Sequence, residues 1–390
     1  MPASPRNDQS LPAESSQVRV SLENVAHGGW CVGRVEGKVV FVSGGLPGEV
    51  VDVEITQRTT RFDRGQVVAV VSAVPGRREP PCPIASQCGG CQWQHAEPEL
   101  QRALKTDVVR DQLSRLAGIT WDGEVEAVAP EWHWRTRNRY AVSGATIGFR
   151  QRRSHAVVAL PAQGCRIAVA GPAPAELARL AGAAGEVEVT SGMTTTVRAD
   201  AQVVSGPHDP HFIVAGKQFL ARGFWQPHVS APQVLTATVL ELLAPEPGEF
   251  AVDMYCGAGL FSAALIEAGC RVVGIEASRT AVADARRNVA QAKFLVGSLP
   301  RDLARLPADP SIVVLDPPRE GAGAAVVRAI ADQTPRAVAY VACDPAALAR
   351  DLATFQDHGY RASVIRSFDL FPHTHHVECV ALLQPIGRGA

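Results

Sequence analysis

The chain has 390 residues, and at about 150 residues per domain this length predicts two or three domains. Its 38 basic and 39 acidic residues exclude a uniformly basic nucleic-acid coat protein, although they allow a local basic patch. No run of about 18 apolar residues occurs, so no membrane span is expected.

The first 75 residues contain two distinct segments. Residues 1–16 are polar and lack the apolar stretch of a signal peptide, so we expect a flexible tail and a cytoplasmic location. Residues 17–75 contain short Val-rich stretches separated by Gly turns, which predict a small OB-type β-barrel rather than an unspecialised β-module. The predicted strands are Val18–Leu22, Val39–Val42, Val50–Ile55 and Gln66–Val74.

Residues 76–220 are predicted to form a linker and a central region. The linker contains four prolines and the pair Arg77-Arg78. Apolar residues that recur on one helical face predict a helix over Pro98–Leu116. The rest of this region mixes short strands with one helix near Ala175–Gly182, and no internal repeat is visible.

Residues 221–390 show a regular alternation of apolar strands and helices. This alternation predicts an α/β fold with a doubly wound, Rossmann-like parallel sheet and helices on both faces. The predicted strands are Phe250–Met254, Arg271–Ile275, Ile312–Leu315 and Ala337–Val341, and the predicted helices are Leu260–Ala268, Arg279–Ala292 and Pro345–Phe355.

A glycine pair follows the first of these strands. The stretch Asp253–Gly259 joins a strand to a helix, where Gly257 and Gly259 let a ligand approach the backbone closely. Glu276 ends the next strand, where a carboxylate can bind a ribose hydroxyl. A dinucleotide enzyme would need a third glycine, so the loop favours S-adenosylmethionine (SAM) over a dinucleotide.

A carboxylate and a cysteine end two later strands. Asp316-Pro317-Pro318 lies where open α/β sheets bind ligands, and the following Arg319 counts against an exocyclic-amine target. Cys343 ends the next strand just before a helix, whose N-terminus lowers a thiol pKa, although neighbouring Asp344 acts in the opposite direction. A buried structural cysteine is the alternative.

The C-terminal segment adds a candidate base. Glu378 precedes the final strand, beside histidines at positions 373, 375 and 376 whose spacing does not support a catalytic zinc site. Cys343 and Glu378 can serve as nucleophile and base. The pair suggests chemistry at a pyrimidine C5, because a thiolate that adds at C6 pushes electron density onto C5, and a base then removes the C5 proton.

These residues together resemble the RNA 5-methyluridine methyltransferases, SAM-dependent enzymes that form a covalent cysteine adduct. The matching stretches occur in the same order and spacing as in that family, and they are Phe224–Gln226, Asp253–Phe261, Asp316–Gly321, Tyr340–Leu352 and Phe371–Leu383. The resemblance implies that Cys343 is the nucleophile and that Glu378 removes the C5 proton. The SAM contacts that it implies come from Gln226, Tyr255, Glu276 and Asp316.

Four positions depart from the family pattern. Leu260, Asp344 and His228 stand where the family commonly has Asn, and Ala342 stands where it has Ser. An acid in place of an amide beside the thiol is expected to raise the thiol pKa or to alter the contacts to uracil.

Four cysteines are spaced as metal ligands. Cys82, Cys88 and Cys91 lie close together in sequence, and with Cys165 they predict a four-thiolate site, which the spacing leaves open between zinc and iron–sulfur. Larger members of the resembled family carry a [4Fe–4S] cluster at matching positions, so the resemblance implies that cluster, with zinc as the alternative. We expect ordinary buried thiols at Cys31, Cys256, Cys270 and Cys379.

Basic charge is concentrated between residues 131 and 166. This stretch has one acid, Glu131, against arginines at positions 135, 137, 139, 150, 152, 153 and 166, interleaved with Trp132, Trp134 and Tyr140. Such side chains can neutralise phosphates and stack on unpaired bases, so we expect an RNA-binding surface rather than a solvated charged face. The barrel resembles the TRAM domain, an RNA-binding module, and its loop arginines, Arg58, Arg61 and Arg64, suit phosphate contact.

The combined prediction is a monomeric enzyme that methylates uridine C5 in structured RNA. We favour 23S rRNA over tRNA because the compact tRNA branch of the resembled family lacks the barrel and the four cysteines. An amino-methyltransferase that acts through Asp316-Pro317-Pro318 is one alternative, and it would not need Cys343. The other is an RNA-binding protein whose methyltransferase domain has lost activity, for which Leu260 and Asp344 are the relevant departures.

Overall fold

The computed structural model describes residues 17–151 and 154–387. The tail predicted at residues 1–16 and two predicted surface arginines, Arg152 and Arg153, therefore lie outside the described residues. The chain forms two compact units, of which the first runs to Val108 and includes His373–His375, and the second is Val109–Pro372 with the residues from His376 onward. None of the helices in the described ranges has the length and apolar character needed to cross a bilayer.

The first unit contains a closed five-stranded barrel, which confirms the predicted β-barrel. Its strands are β1 (Gln17–Ala26), β2 (Trp30–Val35), β3 (Lys38–Ser43), β4 (Val50–Arg58) and β5 (Phe62–Ser72), in the order β1-β2-β3-β5-β4. The sequence analysis missed β2 because Gly33 and Arg34 interrupt its apolar pattern. Gly33 is required there, since a Cβ atom would lie 2.3 Å from the Val20 side chain on β1.

A buried ion pair fixes the barrel to the linker that follows it. The Glu49 side chain is fully buried, and its carboxylate accepts hydrogen bonds from Arg77 Nε at 2.5 Å and from the Leu46 backbone at 2.8 Å. The Arg77 guanidinium also donates to the Gly44 carbonyl at 2.8 Å. Because the carboxylate has no access to water, its charge depends on these donors.

The boundary between the two units falls within α1 (Pro98–Ala117), the first of the remaining elements. In chain order they are α1 (Pro98–Ala117), β6 (Val125–Ala127), β7 (Arg137–Ser143), β8 (Thr146–Arg150), β9 (Val157–Ala159), α2 (Pro174–Ala181), β10 (Glu186–Ser191), β11 (Thr195–Ala199), β12 (Gln202–Ser205), β13 (His211–Val214), β14 (Lys217–Leu220), α3 (Ala231–Leu243), β15 (Phe250–Met254), α4 (Leu260–Glu267), β16 (Arg271–Glu276), α5 (Arg279–Asn288), β17 (Lys293–Val296), a short 3₁₀ helix (Leu303–Arg305), β18 (Ile312–Leu315), α6 (Ala324–Asp332), β19 (Ala337–Ala342), α7 (Pro345–Asp357), β20 (Tyr360–Asp369) and β21 (Glu378–Pro385).

Three sheets organise the second unit. A six-stranded antiparallel sheet has the order β12-β11-β10-β7-β8-β9, and β13 and β14 form a separate hairpin. The third sheet has eight strands in the order β17-β16-β15-β18-β19-β21-β20-β6. Its strands from β17 to β19 are parallel, whereas β21 runs antiparallel to both of its neighbours. This confirms the predicted doubly wound α/β fold, with β6 joining its edge from the region before residue 220.

The eight-stranded sheet is buried on both faces, which explains why its strands are continuous apolar runs. Alternate residues of β18 belong to two hydrophobic clusters, with Val313 and Leu315 in one and Ile312 and Val314 in the other. Helices α6 and α7 cover the first face, and α3 and α4 cover the second. The strand order reverses between β15 and β18, so their carboxyl ends border the crevice where such folds bind ligands.

We predict that Arg77→Met lowers the free energy of unfolding by about 3 kcal/mol, because it leaves the Glu49 carboxylate buried without its cation. Urea denaturation followed by circular dichroism would measure the change. The matched control is Arg19→Met, which removes a cation from the exposed pair that Arg19 forms with Asp52 on the same barrel. If both variants lowered the urea midpoint equally, burial of Glu49 would not be the reason for the loss of stability.

Candidate active site

A cavity of about 670 Å³ opens at the carboxyl edge of the eight-stranded sheet. It lies where β15, β16, β18 and β19 end, as expected for a doubly wound fold. All the residues that the sequence analysis assigned to catalysis or SAM binding line it, namely Gln226, Tyr255, Glu276, Asp316, Cys343 and Glu378. Residues far apart in sequence are thus brought to one site.

The loop after β15 forms one wall of this cavity. Tyr255, Gly257 and Gly259 have positive φ angles of 63°, 52° and 87°, so the chain turns sharply before α4 begins. A Cβ atom at Gly259 would lie 3.2 Å from Val289 and 3.4 Å from both Ala285 and Phe294. The second glycine of the pair therefore allows close packing against α5 and β17.

Backbone donors hold the Glu276 carboxylate at the edge of the cavity. One oxygen accepts a hydrogen bond from the Ser278 amide at 2.7 Å, and the other accepts one from the Gly257 amide at 3.3 Å. Ser278 itself caps α5, since its side chain accepts from the Ala281 amide. A carboxylate fixed in this way suits the hydroxyl groups of a ribose.

Two further carboxylates lie close to Glu276. The Gln226 side chain donates to Asp316 Oδ2 at 3.2 Å, and Ser262 donates to Asp253 Oδ2 at 2.6 Å. Burial raises the pKa of Asp316 to about 7, and the neighbouring charge of Asp253 adds to the shift. Burial likewise raises the pKa of Asp253 to about 7, and its Oδ1 atom has no hydrogen-bond partner in the described ranges.

The negative charge of these carboxylates can be compared with the charge of SAM. Three acidic side chains with mutual repulsion, Asp253, Glu276 and Asp316, favour a ligand that carries positive charge. SAM carries a sulfonium, an ammonium and a carboxylate group, so its net charge is positive, and it also contains a ribose and an adenine. The polar and apolar lining of the cavity fits these parts, with Ile275, Ala277 and Leu299 as apolar contacts near Glu276.

Cys343 lies half-buried at the end of β19. Burial raises the pKa of its thiol to about 12, and the charge of Glu378 raises it further, whereas Arg319 acts in the opposite direction. The net shift is thus opposite to the lowering expected from the start of α7, whereas it agrees in direction with the effect expected of Asp344. Asp344 explains part of the difference, because its carboxylate caps that helix by accepting the Ala347 amide at 2.8 Å and also raises the thiol pKa.

Strand pairing brings the candidate base to the candidate nucleophile. β19 and β21 run antiparallel with Ala342 opposite Cys379, and the next step in this register brings Cys343 opposite Glu378. The Glu378 side chain is almost fully buried, and burial followed by the charge of Asp316 holds its pKa well above the usual range. A carboxyl group with a raised pKa can exchange protons near neutral pH.

Two departures from the family pattern have structural explanations. Leu260 is buried in a hydrophobic cluster with Phe294, so it contributes to the core rather than a polar contact. His228 is fully buried, with its Nε2 3.1 Å from the Pro130 carbonyl while its Nδ1 accepts the Ser230 amide at 3.0 Å. Burial lowers the pKa of His228, which favours the neutral ring.

Three of the four predicted metal-ligating cysteines belong to the first unit. Cys88 and Cys91 are buried and Cys82 is half-buried, and the Gly90 amide donates to the Cys88 sulfur at 3.4 Å. Cys165, the fourth, is half-buried in the second unit, in a hydrophobic cluster with Tyr140. Within residues 17–151 and 154–387, no group of three or more His, Cys, Asp or Glu side chains could hold a metal ion.

The C-terminal histidines contribute to packing in the first unit. The His373 carbonyl accepts the amides of Gln92 and Trp93, both at 3.0 Å, and its own amide donates to Gln101 at 2.8 Å. His375 Nδ1 lies 3.3 Å from the Gln92 side-chain oxygen.

The predicted arginine surface is partly neutralised by a neighbouring strand. Arg137 and Arg139 on β7 form ion pairs with Glu188 on β10, at 2.9 and 3.3 Å. The sequence window 131–166 missed this acid because pairing of β7 with β10 is a long-range contact. Arg166 lies 4.9 Å above the Trp132 ring, an arrangement of cation and aromatic side chain that also suits stacking on a base.

The barrel carries a second group of arginine and aromatic side chains. The Arg64 guanidinium lies 4.9 Å from the Phe62 ring centroid and 5.9 Å from that of Trp30. The sequence analysis singled out Arg64 but missed both aromatic partners, which flank it only after β2 and β5 have formed.

Sequence comparison shows which family the chain resembles along its length. The TRAM domain family matches residues 14–68, the tRNA (Uracil-5-)-methyltransferase family matches residues 301–386, and the protein-L-isoaspartate(D-aspartate) O-methyltransferase family matches residues 221–297. An uncharacterised RNA methyltransferase of Streptomyces avermitilis is 38% identical over 433 aligned residues, which cover 96% of this chain and 99% of the relative.

Two characterised proteins extend the comparison. The 23S rRNA (uracil(1939)-C(5))-methyltransferase RlmD of Thiobacillus denitrificans is 31% identical, over 94% of this chain and 98% of the relative. The crystal structure of the Pyrococcus abyssi tRNA (uracil-54, C5)-methyltransferase with S-adenosyl-L-homocysteine shares the fold, with a TM-score of 0.73 and 24% identity over 94% of this chain and 99% of the other. The chain belongs to the family of RNA (uracil-C5)-methyltransferases that carry a TRAM domain.

Proposed function

We propose that this protein methylates uridine C5 in structured RNA through a covalent bond between Cys343 and uracil C6. The observation that carries the proposal is the placement of Cys343 opposite Glu378 in the cavity that also contains Gln226, Glu276 and Asp316. A nucleophile, a base and a cofactor pocket are the components that methylation at a pyrimidine C5 requires.

The cavity residues have separate tasks in cofactor binding. Glu276 would hold the ribose, and Asp316, Gln226 and Tyr255 would contact the remaining polar groups of SAM. When bound, SAM supplies the electrophilic methyl group that C5 accepts. The buried carboxylates favour the cationic cofactor, and loss of the methyl group removes the sulfonium charge that they stabilise.

Cys343 and Glu378 perform the steps on the uracil. Cys343 adds as a thiolate to C6, which forms the sulfur–C6 bond and places the displaced electron pair on C5 and the O4 carbonyl. After C5 has taken the methyl group, Glu378 accepts the C5 proton. The released electron pair restores the C5–C6 double bond and expels the Cys343 thiolate, so the nucleophile is regenerated.

The RNA must present the target base outside its stack, because the sulfur lies within a cavity. We propose that a TRAM barrel (residues 17–75) and a central region (76–220) hold the RNA for a catalytic domain (221–390). Arg64 with Phe62, and Arg166 with Trp132, are the groups suited to phosphate and base contact. We propose 23S rRNA, in the cytoplasm, as the substrate in preference to tRNA, and the name of the Thiobacillus relative supports the choice of 23S rRNA.

We further propose a [4Fe–4S] cluster on Cys82, Cys88, Cys91 and Cys165. The proposal rests on the cysteine spacing and on the family resemblance. Burial of Cys88 and Cys91 in the first unit, with a backbone amide directed at the Cys88 sulfur, supports it. No catalytic step is assigned to the cluster.

The covalent step predicts a trapped complex. Cys343→Ala is expected to abolish methylation, whereas Glu378→Gln slows proton removal by about 10²–10⁴-fold and lets the methylated RNA accumulate on Cys343. Denaturing gels with radiolabelled methyl groups would detect the adduct, and sequencing the attached RNA would identify the substrate. Cys270→Ala, a buried thiol at the opposite edge of the sheet, serves as the control and should keep full activity. Full turnover by Cys343→Ala would instead favour an amino-methyltransferase.

The raised thiol pKa predicts the pH dependence of Cys343 in the RNA-free enzyme. Below a pKa of about 12 the protonated thiol predominates, so alkylation by iodoacetamide should rise about tenfold per pH unit and still be rising at about pH 10. Glu378→Gln removes a negative neighbour, lowers the pKa and speeds alkylation at a given pH. Mass spectrometry of the Cys343 peptide would measure both rates, and a plateau at the pH of an ordinary peptide thiol would contradict the assignment.

The cluster proposal predicts a brown protein after anaerobic purification. We expect broad visible absorbance and about four iron atoms and four sulfides per chain. Cys82→Ser should lose the iron, whereas Cys31→Ser, at a buried barrel thiol, should retain it. A colourless protein with stoichiometric zinc would reject the iron–sulfur assignment.

A further inference from the structure

A buried carboxylate beneath the active site has no assigned task. Asp351 lies in the middle of α7, the helix that begins directly after Cys343 and Asp344, and it is only 5% exposed. Its side chain is not part of the cavity wall. A buried charge is retained at a cost unless hydrogen bonds compensate it.

Three donors converge on this carboxylate. The Tyr340 hydroxyl donates to Asp351 Oδ2 at 2.6 Å, the Ala322 amide donates to the same oxygen at 2.8 Å, and the Gly323 amide lies 3.2 Å from both oxygens. The Ala322 amide also lies 3.1 Å from the Tyr340 hydroxyl, so the donors form one network. The Asp351 charge is thereby fully compensated.

This network fixes the loop that follows β18. The loop turns through a hydrogen bond from the Gly321 amide to the Pro318 carbonyl at 2.9 Å, and Gly321 has a φ of 92°. A Cβ atom at Gly321 would lie 2.7 Å from Asp351 Oδ2, which the network does not allow to move. The positive φ and the close approach both require glycine here.

Arg319 is carried by the anchored loop. It lines the cavity together with Cys343 and Glu378, although much of its side chain is exposed to solvent. Holding an exposed arginine side chain such as that of Arg319 in place costs about 2 kcal/mol of rotamer entropy. A fixed backbone reduces the freedom of the residue and so helps to keep its charge near Cys343 and Glu378. The same helix therefore begins at the nucleophile and holds the loop that carries the cation.

We propose that Asp351, supported by Tyr340, is a positioning residue that holds Arg319 beside Cys343 and Glu378. Arg319 then stabilises the anionic forms of both groups, the thiolate before addition and the carboxylate before proton removal. The pKa shifts agree with this role, because Arg319 lowers the pKa of the Cys343 thiol and of the Glu378 carboxyl group. This inference rests on the proposed role of Cys343.

A double-mutant cycle tests the inference in the full-length, RNA-free enzyme. The variants are Asp351→Asn, Arg319→Ala and the combination, and the measurement is the pH profile of Cys343 alkylation by iodoacetamide. We expect each single variant to slow alkylation at about pH 8.5 by about 3–10-fold, since one pKa unit corresponds to a tenfold change in thiolate. In the Arg319→Ala background, Asp351→Asn should cause no further change.

The sign of the change separates positioning from a direct charge effect. Removing the negative charge of Asp351 would speed alkylation if that charge acted on the thiol itself, whereas release of Arg319 slows it. Asp357→Asn, the same substitution at an exposed position at the end of α7, is the matched control and should leave the profile unchanged. Faster alkylation, an unchanged rate, or additive effects in the double variant would overturn the proposal.

A conservative variant protects the test against misfolding. Tyr340→Phe removes one donor and leaves both backbone amides on Asp351, so it should slow alkylation less than Asp351→Asn and again have no effect after Arg319→Ala. Calorimetric SAM binding would confirm that each variant is folded. If Cys343→Ala retained methylation, the proposed function would fail, while the alkylation cycle would still report whether Asp351 acts through Arg319.

Discussion

The antiparallel pairing of β19 with β21 is the constraint on which the site depends. One register places Cys343 opposite Glu378, and a slip of one residue in either strand would point that strand's side chain to the other face of the sheet. Burial on both faces prevents such a slip, because Val341 and Val380 belong to the packed core. The candidate nucleophile and the candidate base thus lie at the ends of two paired strands, and the backbone pairing sets their placement.

Burial of like charges is the second physical theme of the site. Asp253 and Glu378 are almost fully buried and Asp316 is half-buried, and burial raises the pKa of each. A cationic cofactor relieves the repulsion among these carboxylates on binding, and the repulsion returns once the sulfonium charge is lost. Among the described residues, Arg319 is the cation of the cavity wall that lowers the pKa of the Cys343 thiol. Cofactor selectivity and product release can both follow from one arrangement of carboxylates.

The sequence was sufficient to predict the fold and the membership of the cavity, for identifiable reasons. Strands such as Ile312–Leu315 are uninterrupted apolar runs, and Asp316, Glu276 and Cys343 directly follow strands whose carboxyl ends share one edge. Other residues have roles that depend on how two strands pair or on which side of a helix faces the core, and these roles could not be predicted in the same way. Nothing near Asp351 in the sequence indicates that it faces the loop after β18, and the Glu188 that neutralises two arginines comes from a strand outside the arginine-rich segment.

The thiol pKa shows why a local rule failed. The start of a helix stabilises a thiolate only when its amide groups remain available, and Asp344 occupies one of them as the helix cap. Burial of Cys343 is the largest cause of the raised thiol pKa. A residue that the family pattern marks as a departure thus has a local structural role of its own.

The division of the chain between the two units has a consequence for dissecting the protein. His373–His375 belongs to the first unit, while the residues on either side of it belong to the second. No single cut can separate the units, since a fragment that begins after residue 108 would keep these three residues but lose Gln92, Trp93 and Gln101, to which they bond. Glu378 follows only three residues later. A fragment freed of the barrel would therefore carry a segment that has lost these partners directly before Glu378.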